Sequence, residues 1–246
     1  MNGTKAQIFG IPLFSTSLEE VLNTIDKNCS DYLSAESEAN FNQKLILFTP
    51  NPEFMVEAQK NNDFKEMLKK SDLNLIDGIG LILVGKIFGQ KIKSRVSGAD
   101  LVEKLLTLSN VKKWPIGLVD IRRGDLVEQA KAIKILQEKY PGITFVNFDH
   151  PQLEIKTLKM AVVFACHGMV KQEDWILKNK DKIPAKVFIG VGGSFDFLTG
   201  FTKRAPVFIR RIGFEWLWRG IQRPKHFKRI WKATFVFGWL VFKAKI

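Results

Sequence analysis

Only two cysteines and three histidines occur among the 246 residues. Cys29 and Cys166 are too few for a disulfide framework and suggest a reducing cytoplasm. No His pair stands at metal-ligand spacing, and Cys166-His167 lacks further partners in sequence, so a structural role for that dipeptide is favoured. Asp-x-Asp, the Walker loop and the G-x-S-x-G nucleophile elbow are all missing. Gly190-x-Gly192-Gly193 follows an apolar run but fails the G-x-G-x-x-G pattern of dinucleotide sites. The longest weakly polar run, Ala233 to Phe242, falls well short of the ~20 residues of a membrane-spanning helix. Met1 to Gly10 shows no apolar region behind a basic start, so no signal peptide is expected.

What is abundant is positive charge, and it is unevenly placed. The net charge is +13, yet from Lys203 onward twelve Lys and Arg face a single acid, Glu215. The same tail holds ten aromatics, among them Trp216, Trp218, Trp231 and Trp239. Such a composition suits the interface of an anionic membrane, with rings at the acyl boundary and cations on head groups. Packing of the aromatics on a core is the plainer alternative. A nucleic-acid surface ranks lower, because Phe235 to Phe242 is too apolar to track phosphates. Arg219, Arg223 and His226 share one helical face, and Pro224 should kink or end that helix.

The preceding part alternates strands and helices. Ser17-x-x-Glu20 starts a helix running to about Cys29, and 31–43 reads as a loop. Strands are expected at 44–48, 73–77, 116–119, 144–148, 160–165 and 186–191. Helices are expected at 52–60, 63–70, 79–88, 98–109 and 125–139, resuming after Gly200. The pattern predicts an α/β fold, Rossmann-like, with a mostly parallel sheet flanked by helices. Residues 1–202 would form the catalytic domain, and 203–246 a basic, aromatic-rich helical appendage.

Two strand-to-helix junctions concentrate polar groups. Thr49-Pro-Asn51-Pro-Glu53 follows the first strand, and Asp77-Gly78-x-Gly80 follows the second. Asn51 can cap a helix opening at Pro52, while Asp77 and a bare helix N-terminus face one crevice. A carboxylate there can take a proton while helix amides attract an anion such as a diphosphate. Either residue alone could be merely a cap.

Assembled in order, these motifs resemble the WecG/TagA/CpsF family of bacterial glycosyltransferases, glycosyltransferase family 26. The matching segments are Thr49-Pro-Asn51-Pro-Glu53, Ser71-Asp-Leu-x-Leu-x-Asp77-Gly-Ile-Gly80, Arg95-Val-x-Gly98-x-Asp100 and Lys171-Gln172-Glu173-x-Trp175. They continue with Ile189-Gly-Val-Gly-Gly-Ser-Phe-Asp196-Phe, Lys203-Arg204-Ala-Pro206 and Glu215-Trp216-Leu-x-Arg219. Each is weak alone, but the set is specific.

The resemblance implies inverting transfer of a sugar from a UDP-sugar to an undecaprenyl-diphosphate-linked acceptor at the cytoplasmic face of the bacterial plasma membrane. The sugar would be N-acetylmannosamine, its uronic acid or a hexose. Asp77 would be the general base. Thr49, Asn51, Gly78, Gly80, Arg95, Gln172, Glu173, Gly192, Asp196, Arg204, Arg219 and Arg223 would bind substrate, Arg223 less securely because the family often has an acid there. Neither metal nor cofactor is expected, with arginines and helix N-termini meeting the diphosphate. A peripheral membrane contact through the tail is expected, nucleic acid is not, and a homo-oligomer is compatible with the sequence.

Two loops depart from the family pattern. Cys166-His-Gly168-Met-Val170 stands where Gly-Leu-Gly-Ser/Ala-Pro is usual, and the Gly-Gly after the central strand is replaced near Asp120-Ile121. Survival of Asp77, Asn51 and Gln172 favours an active enzyme with a shifted donor preference. The rivals are a nicotinamide-dependent oxidoreductase and a non-catalytic membrane-surface or nucleic-acid binder. The first lacks its glycine fingerprint, and the second gives Asp77 no task.

Overall fold

A computed structural model describes residues 2–30, 44–92, 94–122, 124–150, 153, 158–211, 213–222 and 231–245. The expected loop at 31–43, the kink at Pro224, and Arg223 with His226 lie outside the described residues.

The chain opens with an antiparallel hairpin that the sequence reading did not anticipate. β1 (Thr4–Ile8) and β2 (Ile11–Ser15) pair from Thr4–Ser15 to Ile8–Ile11. Their alternation is clear in hindsight, with Ala6, Ile8, Ile11 and Leu13 buried. The turn is Phe9-Gly10, both at positive φ, and a phenylalanine there hides the usual turn signature. α1 (Leu18–Cys29) follows, with the Ser17 hydroxyl accepting the Glu20 N–H.

Six strands then form one all-parallel sheet. They are β3 (Leu45–Phe48), β4 (Leu73–Asn74), β5 (Ile116–Val119), β6 (Phe145–Asn147), β7 (Met160–Ala165) and β8 (Ala185–Gly190). Their order is β4-β3-β8-β7-β5-β6. Every residue of β5, β7 and β8 is buried, which is why these strands read as continuous apolar runs. β4 is shorter than the expected 73–77: Leu75 makes an isolated bridge to Phe14 of the hairpin, and the Asp77 N–H turns to Pro50 O at 2.9 Å.

Helices cover both faces. α1, α5 (Gly98–Lys112) and α6 (Leu126–Lys139) bury Ile25, Leu105 and Leu136 on one side, against Leu47, Phe164 and Ile189. α2 (Pro52–Ala58), α3 (Asn62–Lys69), α4 (Ile79–Ile87) and α7 (Lys171–Asn179) cover the other, against Phe48, Val163 and Phe188. α5 outruns its expected end at 109. It stops at Lys113, which takes the left-handed conformation usual for glycine, φ +54. The short α8 (Phe195–Leu198) precedes α9 (Val207–Arg211) and α10 (Glu215–Gln222).

The last segment is a π turn at Lys232–Val236 leading into α11 (Phe237–Lys245). Phe237 and Val241 are buried with Met55, Leu81 and Val84 in the core on the α2 side. Trp231, Phe235, Trp239 and Phe242 are each at least half exposed. Among the described residues no helix is long and apolar enough to cross a membrane.

Candidate active site

Parallel strands aim their carboxyl ends at one edge of the sheet, where open α/β folds hold ligands. The loops after β3, β4 and β8 meet there. Thr49, buried just past β3, donates its hydroxyl to the Gly190 carbonyl at the end of β8, 3.1 Å away. Asn51 caps α2, its Oδ1 accepting the N–H groups of Glu53 at 2.9 Å and Phe54 at 3.3 Å. The cap reading is therefore real for Asn51.

Asp77 bonds a helix start as well. Its Oδ2 accepts the Gly98 N–H at 3.2 Å, which ties the end of β4 to the start of α5. Around Gly98 three side-chain oxygens converge: a Cβ there would stand 3.4 Å from Thr49 Oγ1, 3.5 Å from Ser194 Oγ and 3.7 Å from Asp77 Oδ2. Gly98 and Ser194 were visible only as motif members, not as lining residues.

Gly78 takes φ +104 as the N-cap of α4 and supplies no side chain to that helix end. Gly80 is required by packing, because a Cβ would lie 2.8 Å from Pro52 Cγ and 3.8 Å from Phe237 Cε1. The first turn of α4 is thus pressed between the α2 entry and α11. Its amide end is left without a side-chain cap, the arrangement that favours an anion.

Gln172 and Glu173 are fully buried at the start of α7. Gln172 Oε1 accepts the Gly192 N–H at 2.8 Å and its Nε2 donates to Glu173 Oε1 at 2.6 Å. Burial pushes the Glu173 carboxyl up to about 7, against the opposing pull of its hydrogen bonds from Gln172 and the backbone. Because the Gly192 amide serves Gln172, this glycine loop does not offer that N–H to a nucleotide phosphate.

A second group lies after β5, β6 and β7. The Asp120 N–H donates to Asp149 Oδ2 at 2.5 Å. Burial chiefly raises the Asp149 carboxyl, and the Cys166 thiol is driven well above its ordinary range by burial and then by Asp120, Asp149 and Asp196. Arg122 pairs with Asp196 at 2.6 Å and Glu128 at 2.5 Å, and lies 3.9 Å over the Phe201 ring. The Arg122 bridge was not foreseen; its two acids stand 6 and 74 residues away. Among the described residues no three His, Cys, Asp or Glu side chains could hold a metal ion.

The remaining arginines are used differently from one another. Arg204 reaches Asp100 at 2.5 Å and Glu103 at 2.8 Å on α5, and Glu215 at 3.7 Å. Arg95 donates to the Arg210 carbonyl at 2.6 Å. Both therefore bind the start of the tail to α5 and its approach, and neither is brought against Asp77 by these bonds. Arg219 lies in α10 with its side chain outside the described set.

The family model described as "Glycosyl transferase WecG/TagA/CpsF family" matches residues 6–246. Three similar proteins carry the name N-acetylglucosaminyldiphosphoundecaprenol N-acetyl-beta-D-mannosaminyltransferase. One, from Bacillus subtilis (strain 168), is 29% identical, covering 91% of this chain and 86% of its own. One from Staphylococcus aureus (strain MW2) is 27% identical over 99% and 94%. One from Bacillus spizizenii is 30% identical over 85% and 84%.

Proposed function

The chain belongs to the WecG/TagA/CpsF family of glycosyl transferases, and from that premise we propose that it moves a sugar from a UDP-sugar to an undecaprenyl-diphosphate-linked saccharide. The convergence of Thr49, Asp77 and Ser194 on Gly98 carries this reading. It puts a carboxylate and two hydroxyls around the bare Cα of Gly98, past the carboxyl ends of β3, β4 and β8. The relatives' names support an acceptor of N-acetylglucosamine on diphosphoundecaprenol, with a mannosaminyl group transferred. For this chain the donated sugar is N-acetylmannosamine, its uronic acid or a hexose.

The step is a single displacement. An acceptor hydroxyl attacks the anomeric carbon, Asp77 takes its proton, and the bond from that carbon to the β-phosphate oxygen breaks with its electron pair leaving on UDP. Attack opposite the leaving group inverts the anomeric centre, in keeping with a β product from an α-linked donor. The amide end of α4 at Gly78 to Gly80 and arginines of the tail, Arg219 and Arg223, meet the charge on the diphosphate. Thr49, Asn51 and the Gln172 loop orient the sugars.

Residues 203–246 serve as the membrane-associating appendage at the cytoplasmic face of the plasma membrane. Trp231, Phe235, Trp239 and Phe242 recur at helical spacing and are exposed, whereas Phe237 and Val241 hold α11 to the core. Leu83 and Ile87 of α4 add exposed apolar surface. The lipid-linked acceptor then enters beside the helix whose N-terminus holds the diphosphate.

The deciding experiment screens UDP-sugars against a short-chain lipid-diphosphate N-acetylglucosamine, with and without magnesium. Transfer with an inverted product is expected, and no transfer from any donor would overturn the reading. Flotation with anionic liposomes tests the tail: replacing the four exposed aromatics by Ser should abolish it, and unchanged flotation would remove the membrane role.

A further inference from the structure

The turn that closes β8 rests on a buried relay of hydrogen bonds. The Val170 N–H donates to Glu173 Oε2 at 2.7 Å, Gln172 Nε2 donates to Glu173 Oε1 at 2.6 Å, and the Gly192 N–H donates to Gln172 Oε1 at 2.8 Å. An ionised carboxylate only accepts, so it obliges Gln172 to turn its nitrogen toward Glu173 and its oxygen toward Gly192. Space fixes the amide as well, since a Cβ on Gly190 would lie 2.9 Å from Gln172 Nε2. Both ends of the relay hold unusual backbone. Gly192 has φ +52, and Val170, a β-branched residue, has φ +72.

We infer that Glu173 is a positioning residue: through Gln172 it sets the Gly190–Gly192 turn, and through that turn the placement of Thr49 and Ser194 around Asp77. Thr49 is linked because its hydroxyl bonds the Gly190 carbonyl, and Ser194 because it sits two residues beyond Gly192. Glu173 itself is fully buried with both oxygens engaged inside the protein, so its part is played without touching a sugar. The consequence for transfer rests on the glycosyltransferase reading; the relay does not.

Protonation would reverse the relay. A carboxylic O–H facing Gln172 needs an acceptor, so the amide rotates and its nitrogen confronts the Gly192 N–H, donor against donor. With burial raising the carboxyl to about 7, this reversal falls near neutral pH. The charged groups nearby do not govern it. On α7, Lys171 and Lys178 are exposed and Asp174 pairs with Lys178 at 2.7 Å. On α3, Asp63, Glu66 and Lys69 face solvent and Lys65 is half-buried. His167 beyond β7 acts on Asp149, and Lys186 of β8 on Cys29. The causes acting on Glu173 are burial and its own hydrogen bonds.

The test follows the Gly192 amide by NMR in the full chain, from about pH 5.5 to about pH 8.5, after correction for intrinsic exchange. In the wild type, protection should fall about tenfold as pH drops through 7, the size expected for loss of one ordinary hydrogen bond. Glu173→Gln should exchange fast across the whole range and transfer sugar about tenfold more slowly, with the pH limb gone. The exchanged pair Gln172→Glu/Glu173→Gln satisfies all three bonds again. The new amide at 173 accepts from Val170 and donates to the new carboxylate at 172, which accepts from Gly192. At about pH 8.5 that double variant should recover both protection and transfer.

A Gly192 amide indifferent to pH in the wild type overturns the inference without any variant. So does a folded double variant that recovers neither readout, since the two side chains would then act by direct contact. If the wild type transfers no sugar, the functional reading fails while the amide still decides the relay.

Discussion

At the ends of β3, β4 and β8 the chain places Gly78, Gly80, Gly98 and Gly190, whereas at the ends of β5, β6 and β7 it places Asp120, Arg122, Asp149 and His167. The first half gains its form from side chains that are missing, which lets the oxygens of Thr49, Asp77 and Ser194 converge. The second half is braced by its own groups: Arg122 pairs with Glu128, and Asp149 takes the Asp120 N–H, while Arg122 also reaches across to Asp196 after β8. Asp120 stands at φ +50, a conformation glycine reaches freely. On the proposed function, the reaction would belong to the first half and the choice of donor to the second.

The sharpest way to break this contrast is Asp77→Asn. Transfer should fall by at least about 10²-fold with the melting temperature nearly unchanged, and a wild-type rate would remove Asp77 as the base. Gly98→Ala comes next. Its methyl would sit at ordinary contact distance, 3.4 to 3.7 Å, from three oxygens. The fold should hold or gain slightly, while transfer drops about tenfold because the approach to Asp77 is filled. Equal losses of stability and activity would instead mark Gly98 as a packing residue.

In the second half the signs should swap. Arg122→Ala removes the ion pairs to both Asp196 and Glu128 and should cost about 1–2 kcal/mol of stability. The KM for the UDP-sugar should move more than kcat, as checked by thermal melts and initial rates across donors. The smallest effect is a slope. Glu173 is raised from 4.5 to about 7 on folding, so the folded state holds the proton more tightly than the unfolded chain. That contribution is full below the unfolded value and is lost as pH rises through about 7. The melting temperature of Glu173→Gln minus that of the wild type should therefore rise from acid to mildly alkaline pH. A flat difference would mean that Glu173 carries no such shift.

The sheet was legible because strands buried on both faces leave continuous apolar runs, as in Met160–Ala165. The hairpin was not, since Phe9 occupies a turn position that normally announces itself with Gly or Asn. α7 was missed as an element because Gln172 and Glu173 look like surface residues yet are fully buried. The position of Thr49 and Asp77 past the ends of β3 and β4 was legible from the apolar runs that precede them. Arg204 could not be read as a tie to α5, because Glu103 and Asp100 are 101 and 104 residues distant in sequence. Gly98 escaped for the opposite reason, as its contribution is the space it leaves.

The strand order carries a consequence for how the molecule comes into being. β3 with β4 and β5 with β6 make two separate parallel pairs, and only β7 and β8, later in the chain, join them. The Thr49–Gly190 bond spans 141 residues, so the cluster around Gly98 cannot close until β8 has been made. Contacts of such range make folding slow. The exposed aromatics of the last helix follow later still. During synthesis the aromatic surface of that helix therefore emerges only after all six strands of the sheet are made.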